Sequence, residues 1–362
     1  MFLVFFFPRN NNSGLSFCAP MASSSLVRIA VVGDIHGFWD LDEDRKALRL
    51  LQPHLVLFTG SFSVILVRKT CHLCKVLPLF LSLKQLYWAI MMLGTPMTYQ
   101  RNKIVFKCSS ICEFDHCLLV VRIALSFFFW FPAATNSLGD EHVGYQRMDF
   151  PSYKLSIVGG RPFSHGGDRL FRQKLLFQRY GVHDMDSSAG RICRAAHGTP
   201  EDHVVIILAH NGPTGLGSQA ENICGRDWFV EGGDHGDPDL EKAIRQLKET
   251  TKLSVPLVVF GHMHKELQSG KGDREMVVQD SDNQTVYVNG AVVPRVKGTK
   301  EENCGRGIGE NETSSESGGT VRVYTLVEIL DGKIKKVAES WVQVIGTMAK
   351  IVEEKTLFED VT

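Results

Sequence analysis

Five residues in this chain have the chemistry to hold a cation. Asp34 and His36 stand in Gly33-Asp34-Ile35-His36-Gly37, His210 in Leu208-Ala209-His210-Asn211-Gly212, and His262 and His264 in Gly261-His262-Met263-His264. A carboxylate oxygen with imidazole nitrogens suits Mn, Fe or Zn better than Mg. Asp34 and His36, two apart in an extended turn, can point the same way and offer a pair to one cation, and the imidazoles of His262 and His264, two apart on an extended backbone, face one ligand position each. A lone histidine at a strand end is more often a partly exposed polar residue. What changes the reading is recurrence: Val27 to Val32, Val204 to Ala209 and Leu257 to Phe260 are short, apolar, β-forming runs, and each opens into these residues. Strand mouths are where α/β proteins place chemistry.

The elements that must position these mouths follow from the pattern. Leu41 to Leu51 predicts a helix with Leu41, Ala47, Leu48 and Leu51 on its inner face, stopped at Pro53, and His54 to Thr59 predicts a second buried strand closed by Gly60, which completes a βαβ unit. Lys154 to Gly160 reads as a strand before the Gly-rich turn Arg161 to Asp168, and Leu170 to Ala196 as helical in pieces. Gly-rich loops fill Gly212 to Gly236. Asp237 then caps a helix with Pro238 at its first position and Leu240, Ile244 and Leu247 buried. Thr285 to Asn289 and Ala291 to Val293 read as strands, residues 298–320 as a flexible loop, Val321 to Ile329 and Ile334 to Val344 as a hairpin about Asp331-Gly332, and residues 349–362 as a tail.

With 362 residues, 44% hydrophobic and 22% charged, the chain can bury a full core. Its zero formal charge supplies no field for nucleic acid or an anionic membrane. Nine irregularly spaced cysteines argue against a disulfide framework, and Cys71-x-x-Cys74 has no second pair for a structural zinc, so an intracellular compartment is expected. Residues 1–27 read as a leader without a fold, transit-like and so compatible with a plastid, or as sequence ahead of a start at Met21 in a cytoplasmic protein. Residues 61–139 differ from everything else: two acidic residues against eight Lys or Arg, two glycines, and five of the cysteines. The apolar runs there are interrupted by Pro78, Lys84, Arg122 and Pro132, which argues against membrane spans. Residues 62–134 are expected to form no ordered layer.

GDIHG at Gly33 to Gly37, LAHNG around His210 and GHMH at Gly261 to His264 resemble motifs of the calcineurin-like metallophosphoesterases, over residues 28–60 and 138–348. GGRPFS, GPTGLG and GGDHGDPDLEKAI are most similar to a plant and cyanobacterial subgroup. The resemblance implies an αββα sandwich of two mixed β-sheets flanked by helices across residues 28–348, and two divalent metal ions at the strand ends. By that analogy Asp34, His36 and His264 hold the first metal and His210 and His262 the second, and a phosphorylated substrate is attacked by a metal-activated water.

The chain departs from that pattern at two places. Gly60-Ser61 stands where the family has Gly-Asp with a metal-bridging carboxylate, and the family's G-N-H-[DE], which supplies an Asn ligand and a phosphate-facing His, is absent. Both losses fall at or within residues 61–139, whose composition suggests non-coding sequence carried into the frame or a splice variant, with divergence of the protein itself as the alternative. Two functions follow: a metal-dependent phosphoesterase of impaired activity, or an inactive relative that binds a metal, a phosphate ligand or a partner. Arg161, Asn211 and Arg226, in or beside the Gly-rich loops, are candidate substrate contacts.

Overall fold

The computed structural model describes residues 26–36, 38–60, 143–270, 272–280, 285–299 and 319–360, and the backbone of strands at 3–6, 98–100 and 103–105. The chain divides into two units, Met1–Ser63 with Asp140–Thr362, and Val64–Gly139.

In the first unit, β1 (Leu3–Phe6), β2 (Val27–Val32) and β3 (Leu55–Phe58) begin one sheet, with helix α1 (Leu41–Leu51) linking β2 to β3. β2 and β3 are parallel, Ile29 opposite Leu55 and Val32 opposite Phe58, so their C-terminal mouths lie side by side. The Asp40 side chain accepts the N–H groups of Asp42 and Glu43 to start α1, and Gln52 in the left-handed region ends it before Pro53. The inner face of α1 differs from expectation. Leu41 is 61% exposed, and Asp44 is buried instead. A buried carboxylate is tolerated there because Arg295, Arg322 and Tyr324 all donate to it. The leader, expected to have no fold, contributes β1, which pairs antiparallel with β3. Leu-Val-Phe-Phe is strand-forming sequence, and the edge of β3 offers unpaired backbone groups.

β4 (Thr98–Gln100) and β5 (Lys103–Val105) belong to the second unit and pair antiparallel with each other. The expectation for residues 62–134 otherwise falls outside the described residues, as does Ser61.

The second sheet of the first unit is built from β6 (Arg147–Phe150), β7 (Leu155–Gly159), β8 (Val204–Leu208), β9 (Leu257–Phe260), β10 (Val277–Asp280) and β11 (Thr285–Asn289), in the order β10-β11-β9-β8-β7-β6. β7, β8, β9 and β11 run parallel. Helices α2 (Gln173–Tyr180), α3 (Met185–Ala196) and α4 (Pro238–Thr250) connect them. Ala291 to Val293, expected as a strand, is a tight turn: Asn289 Oδ1 takes the Ala291 N–H and Gly290 O takes that of Val292, leaving neither for a ladder.

β12 (Val296–Gly298), β13 (Thr320–Leu330), β14 (Lys333–Ile345) and β15 (Met348–Glu359) complete the first sheet, in which β13 lies antiparallel to β2. Asp331 and Gly332, at φ 49° and 77°, make the β13–β14 turn whose twist matches the strands it joins. Residues 349–362, expected as a tail, are mostly β15, paired with β14 along its length. Its side chains are largely exposed on both faces, so it carries no alternating hydrophobic signal.

The two sheets share one core. Ile29, Val31, Leu57 and Val327 of the first and Ile157, Ile206, Val259 and Val288 of the second belong to a single buried cluster. The architecture is α/β with two mixed sheets and few helices, compatible with an α/β sandwich. Among the described residues no helix is long and apolar enough to cross a membrane.

The sheets approach each other tightly at Gly33, after β2, and Gly290, after β11. A Cβ on Gly33 would stand 2.0 Å from Gly290 O, so the approach requires glycine. Gly33→Ala is therefore expected to destabilise the fold by about 1–3 kcal/mol or more, whereas Gly190→Ala, inside α3 with only Arg194 Nη1 at 3.6 Å, should stabilise it by roughly 0.5–1 kcal/mol. Thermal melting of both variants checks this, and an unchanged melting temperature for Gly33→Ala would show that the sheets can move apart.

Candidate metal centre

Beyond Gly33 the chain turns through Asp34, Ile35 and His36. Ile35 is fully buried and anchors the turn, Asp34 is 4% exposed, and His36 reaches the surface with φ 42°. Beyond β9, His262 takes φ 72° and its backbone N–H donates to Asp34 Oδ2 at 2.7 Å. This turn brings His264 back, its Nε2 3.9 Å from Asp34 Oδ2 and 3.1 Å from His36 Nε2. One donor atom from each of Asp34, His36 and His264 lies within 4.8 Å of the others. Donors about 2 Å from a shared cation stand roughly 3–4 Å apart, and the separations to His264 Nε2 are of that size. Among the described residues this is the one such group of three.

His210 and His262 form a second group, their rings 5.0 Å apart. His210 Nδ1 is 2.7 Å from Thr59 O, and His262 Nε2 is 3.0 Å from His165 O. A carbonyl only accepts, so in the neutral rings these nitrogens carry the protons, and the lone pairs belong to His210 Nε2 and His262 Nδ1. Metal-ligating imidazoles are oriented in this way. Burial pushes His210 down to about 4 and His262 down to about 3. Both are therefore neutral at pH 7, the form a ligand must take. The expected five converge as a triad and a pair, joined by Asp34 through the His262 N–H.

No protein-family model matches this chain, and no curated protein matches it in sequence. Its function must be argued from the site.

The candidate substrate contacts divide. Arg161 is a correction: its guanidinium is buried and spent on two carboxylates, Nη2 on Asp237 Oδ1 and Nε on Asp239 Oδ2, each at 2.9 Å. Asp237, expected to cap α4 with its side chain, makes no such bond because Arg161 and Ser164 Oγ hold its carboxylate. Asn211 is also a correction. It is fully buried, and its Nδ2 donates to His235 O at 2.7 Å, holding a loop rather than facing a substrate. Arg226 is half-buried, its guanidinium 5.6 Å over the Phe229 ring.

Sequence reasoning missed His165 and His235. His235 Nε2 lies 2.8 Å from the same His165 carbonyl that His262 meets, and its ring stacks on that of His262 at 6.1 Å. Burial lowers His235 below the usual histidine range. The signal is a histidine among glycines in each loop, SHGGD and GGDHGD, with no strand pattern leading directly into it. The Arg161 ion pairs lock the first loop to the start of α4, and the Gly167 N–H donates to both His235 O and Gly236 O. The carbonyl that orients His262 is thus fixed from both sides.

Arg161→Met should cost about 3–5 kcal/mol in denaturant unfolding, because it leaves Asp237 and Asp239 buried without a counter-charge. A loss below about 1 kcal/mol, the size of an exposed pair, would show that the clamp is dispensable. A second expectation concerns pH. Unfolded imidazoles take a proton near 6.5, the folded pair only near 4 and 3. Between those values the unfolded chain binds more protons, so stability of the metal-free protein is lost as pH falls below about 6.5. His262→Gln should make the melting temperature fall less steeply from pH 7 to pH 5, and an unaltered slope would contradict the assignment.

Proposed function

We propose that this chain is a calcineurin-like metallophosphoesterase with an αββα sandwich, which hydrolyses a phosphate ester at a dinuclear metal centre, and that this polypeptide does so weakly. One observation supports the reading: Asp34, His36 and His264 have donor spacing suited to one cation, and His210 and His262, the latter bonded through its N–H to Asp34, are held by carbonyls that leave a lone pair on each ring. Divalent metal ions bound there supply Lewis-acid polarisation of the phosphoryl group and a lowered pKa for water. The protein's part is to hold the donors. Asp34 is kept in place by the His262 N–H, His210 by the Thr59 carbonyl and His262 by the His165 carbonyl.

Weakness follows from charge. Ser61 stands where the resemblance places a bridging carboxylate, and the G-N-H-[DE] segment is missing. The first position then keeps Asp34, His36 and His264, while the second keeps only His210 and His262. A hydroxyl does not offset the repulsion of two dications. The same observation favours a second reading, an inactive relative that binds one metal or a phosphate ligand.

Calorimetric titration with Mn and an assay on an aryl phosphate test both readings. The native chain should bind Mn at the Asp34 triad and turn over slowly. Ser61→Asp should recover metal affinity only in part, and a form carrying a complete G-N-H-[DE] segment should hydrolyse on the order of 100-fold faster or more. Equal turnover by both forms, abolished in each by His262→Ala, would show that other residues supply the missing ligands. Failure of the native chain and the completed form to bind Mn would sink the metal reading.

A further inference from the structure

We infer that the phosphate ester accepted at this site carries an aromatic group, and that Trp228 and Phe171 select it; the inference rests on the phosphoesterase reading. Aromatic side chains are exposed beside the cluster: Trp228 is 42%, Phe229 53%, Phe171 40% and Phe38 52% exposed. Three of them, Trp228, Phe171 and Phe38, stand beside residues of the site. The Trp228 ring meets His235 edge to face at 4.8 Å and 88°, and His235 stacks on His262. The Phe171 ring centre is 4.6 Å from that of His165, whose carbonyl serves both His262 and His235. Phe38 follows His36 by two residues.

Single exposed apolar residues need no explanation, but rings gathered at the mouth of a polar cluster do. Ligand sites combine apolar and aromatic walls with a few placed polar groups, and this arrangement has both. Rings prefer other rings, stacked with an offset or edge on, and gain more from them than from an alkyl chain of similar area. Trp228 already presents the edge-on geometry to His235, while Phe171 sits against His165 tilted at 52°. Arg226, over Phe229, adds a cation to the same lip and favours an anionic aromatic ligand over a neutral one. The aromatic group can be esterified directly to the phosphate, as in a phenol ester, or stand one sugar away, as in a nucleotide.

The experiment is calorimetric binding to the full chain with Mn present, using phenyl phosphate against ethyl phosphate, adenosine 5′-monophosphate against ribose 5-phosphate, and inorganic phosphate alone. At least one aromatic ester should bind about tenfold more tightly than its non-aromatic match, and the pair showing it identifies the class. In Trp228→Ala/Phe171→Ala the preference should disappear while affinity for inorganic phosphate stays the same, which also reports that the variant is folded. Equal affinity within both pairs, with inorganic phosphate bound, overturns the inference and leaves the phosphoesterase reading standing. A preference that survives in the double variant overturns the assignment to these rings. Binding of Mn but of no phosphate overturns the phosphoesterase reading, and this inference with it.

Discussion

Asp34 accepts the backbone N–H of His262 across the join between the two sheets. One partner follows β2 in the first sheet and the other follows β9 in the second, so this single bond holds two of the three motifs in register. A charge-assisted bond in a desolvated place is worth more than an ordinary backbone bond, and here it fixes a residue at φ 72° that would otherwise avoid the left-handed region. His36, at φ 42°, bears the same kind of strain. Two non-glycine residues in that region, both imidazoles of one cluster, persist only because the surroundings over-determine them.

Those surroundings are polar as well as apolar. Asp44 of α1 ties Arg295 and Arg322, and Arg295 also donates to Phe38 O, which braces the loop carrying His36. Lys265, next to His264, reaches Glu339 of β14 at 2.6 Å and fastens the second motif to the first sheet. Arg161 with Asp237 and Asp239 does the same for the loop whose carbonyl faces His262. Buried ion pairs are poor sources of net stability. Each of these three instead fixes a loop that bears or orients a candidate ligand, a role an apolar contact with no preferred direction would fill less well.

Much of the architecture was legible because it rests on short-range grammar. The runs ending at Gly33, His210 and Gly261, the helix stopped at Pro53 and the Asp331-Gly332 turn announce themselves by period and punctuation. What could not be read depended on partners far along the chain. Asp44 looked like a solvent-facing residue of α1 until Arg295 and Arg322 were seen against it, and Leu41 looked buried for the same want of context. Asp237 had the sequence of a cap, but Arg161 takes its carboxylate. β15 has no alternation because neither of its faces is well covered. For the site, the five donors followed from types and spacing, whereas His165 contributes a carbonyl, which any residue could supply, so no side-chain pattern could mark it.

The placement of the five donors and the charge they offer are separable properties of this fold. Three of the five are oriented by a backbone contact: Asp34 by the His262 N–H, His210 by the Thr59 carbonyl, His262 by that of His165. The partners are Thr59, His165 and the His262 N–H, so the placement of these three donors is set by backbone groups and not by the charge the site offers. Charge has no such redundancy. Asp34 is the sole carboxylate among the five, and imidazole donors would bring no negative charge to screen one dication from a second a few ångströms away, where repulsion in a low-dielectric site is strong. The geometry of the donors is therefore over-determined by backbone contacts, whereas the negative charge they can offer rests on Asp34 alone.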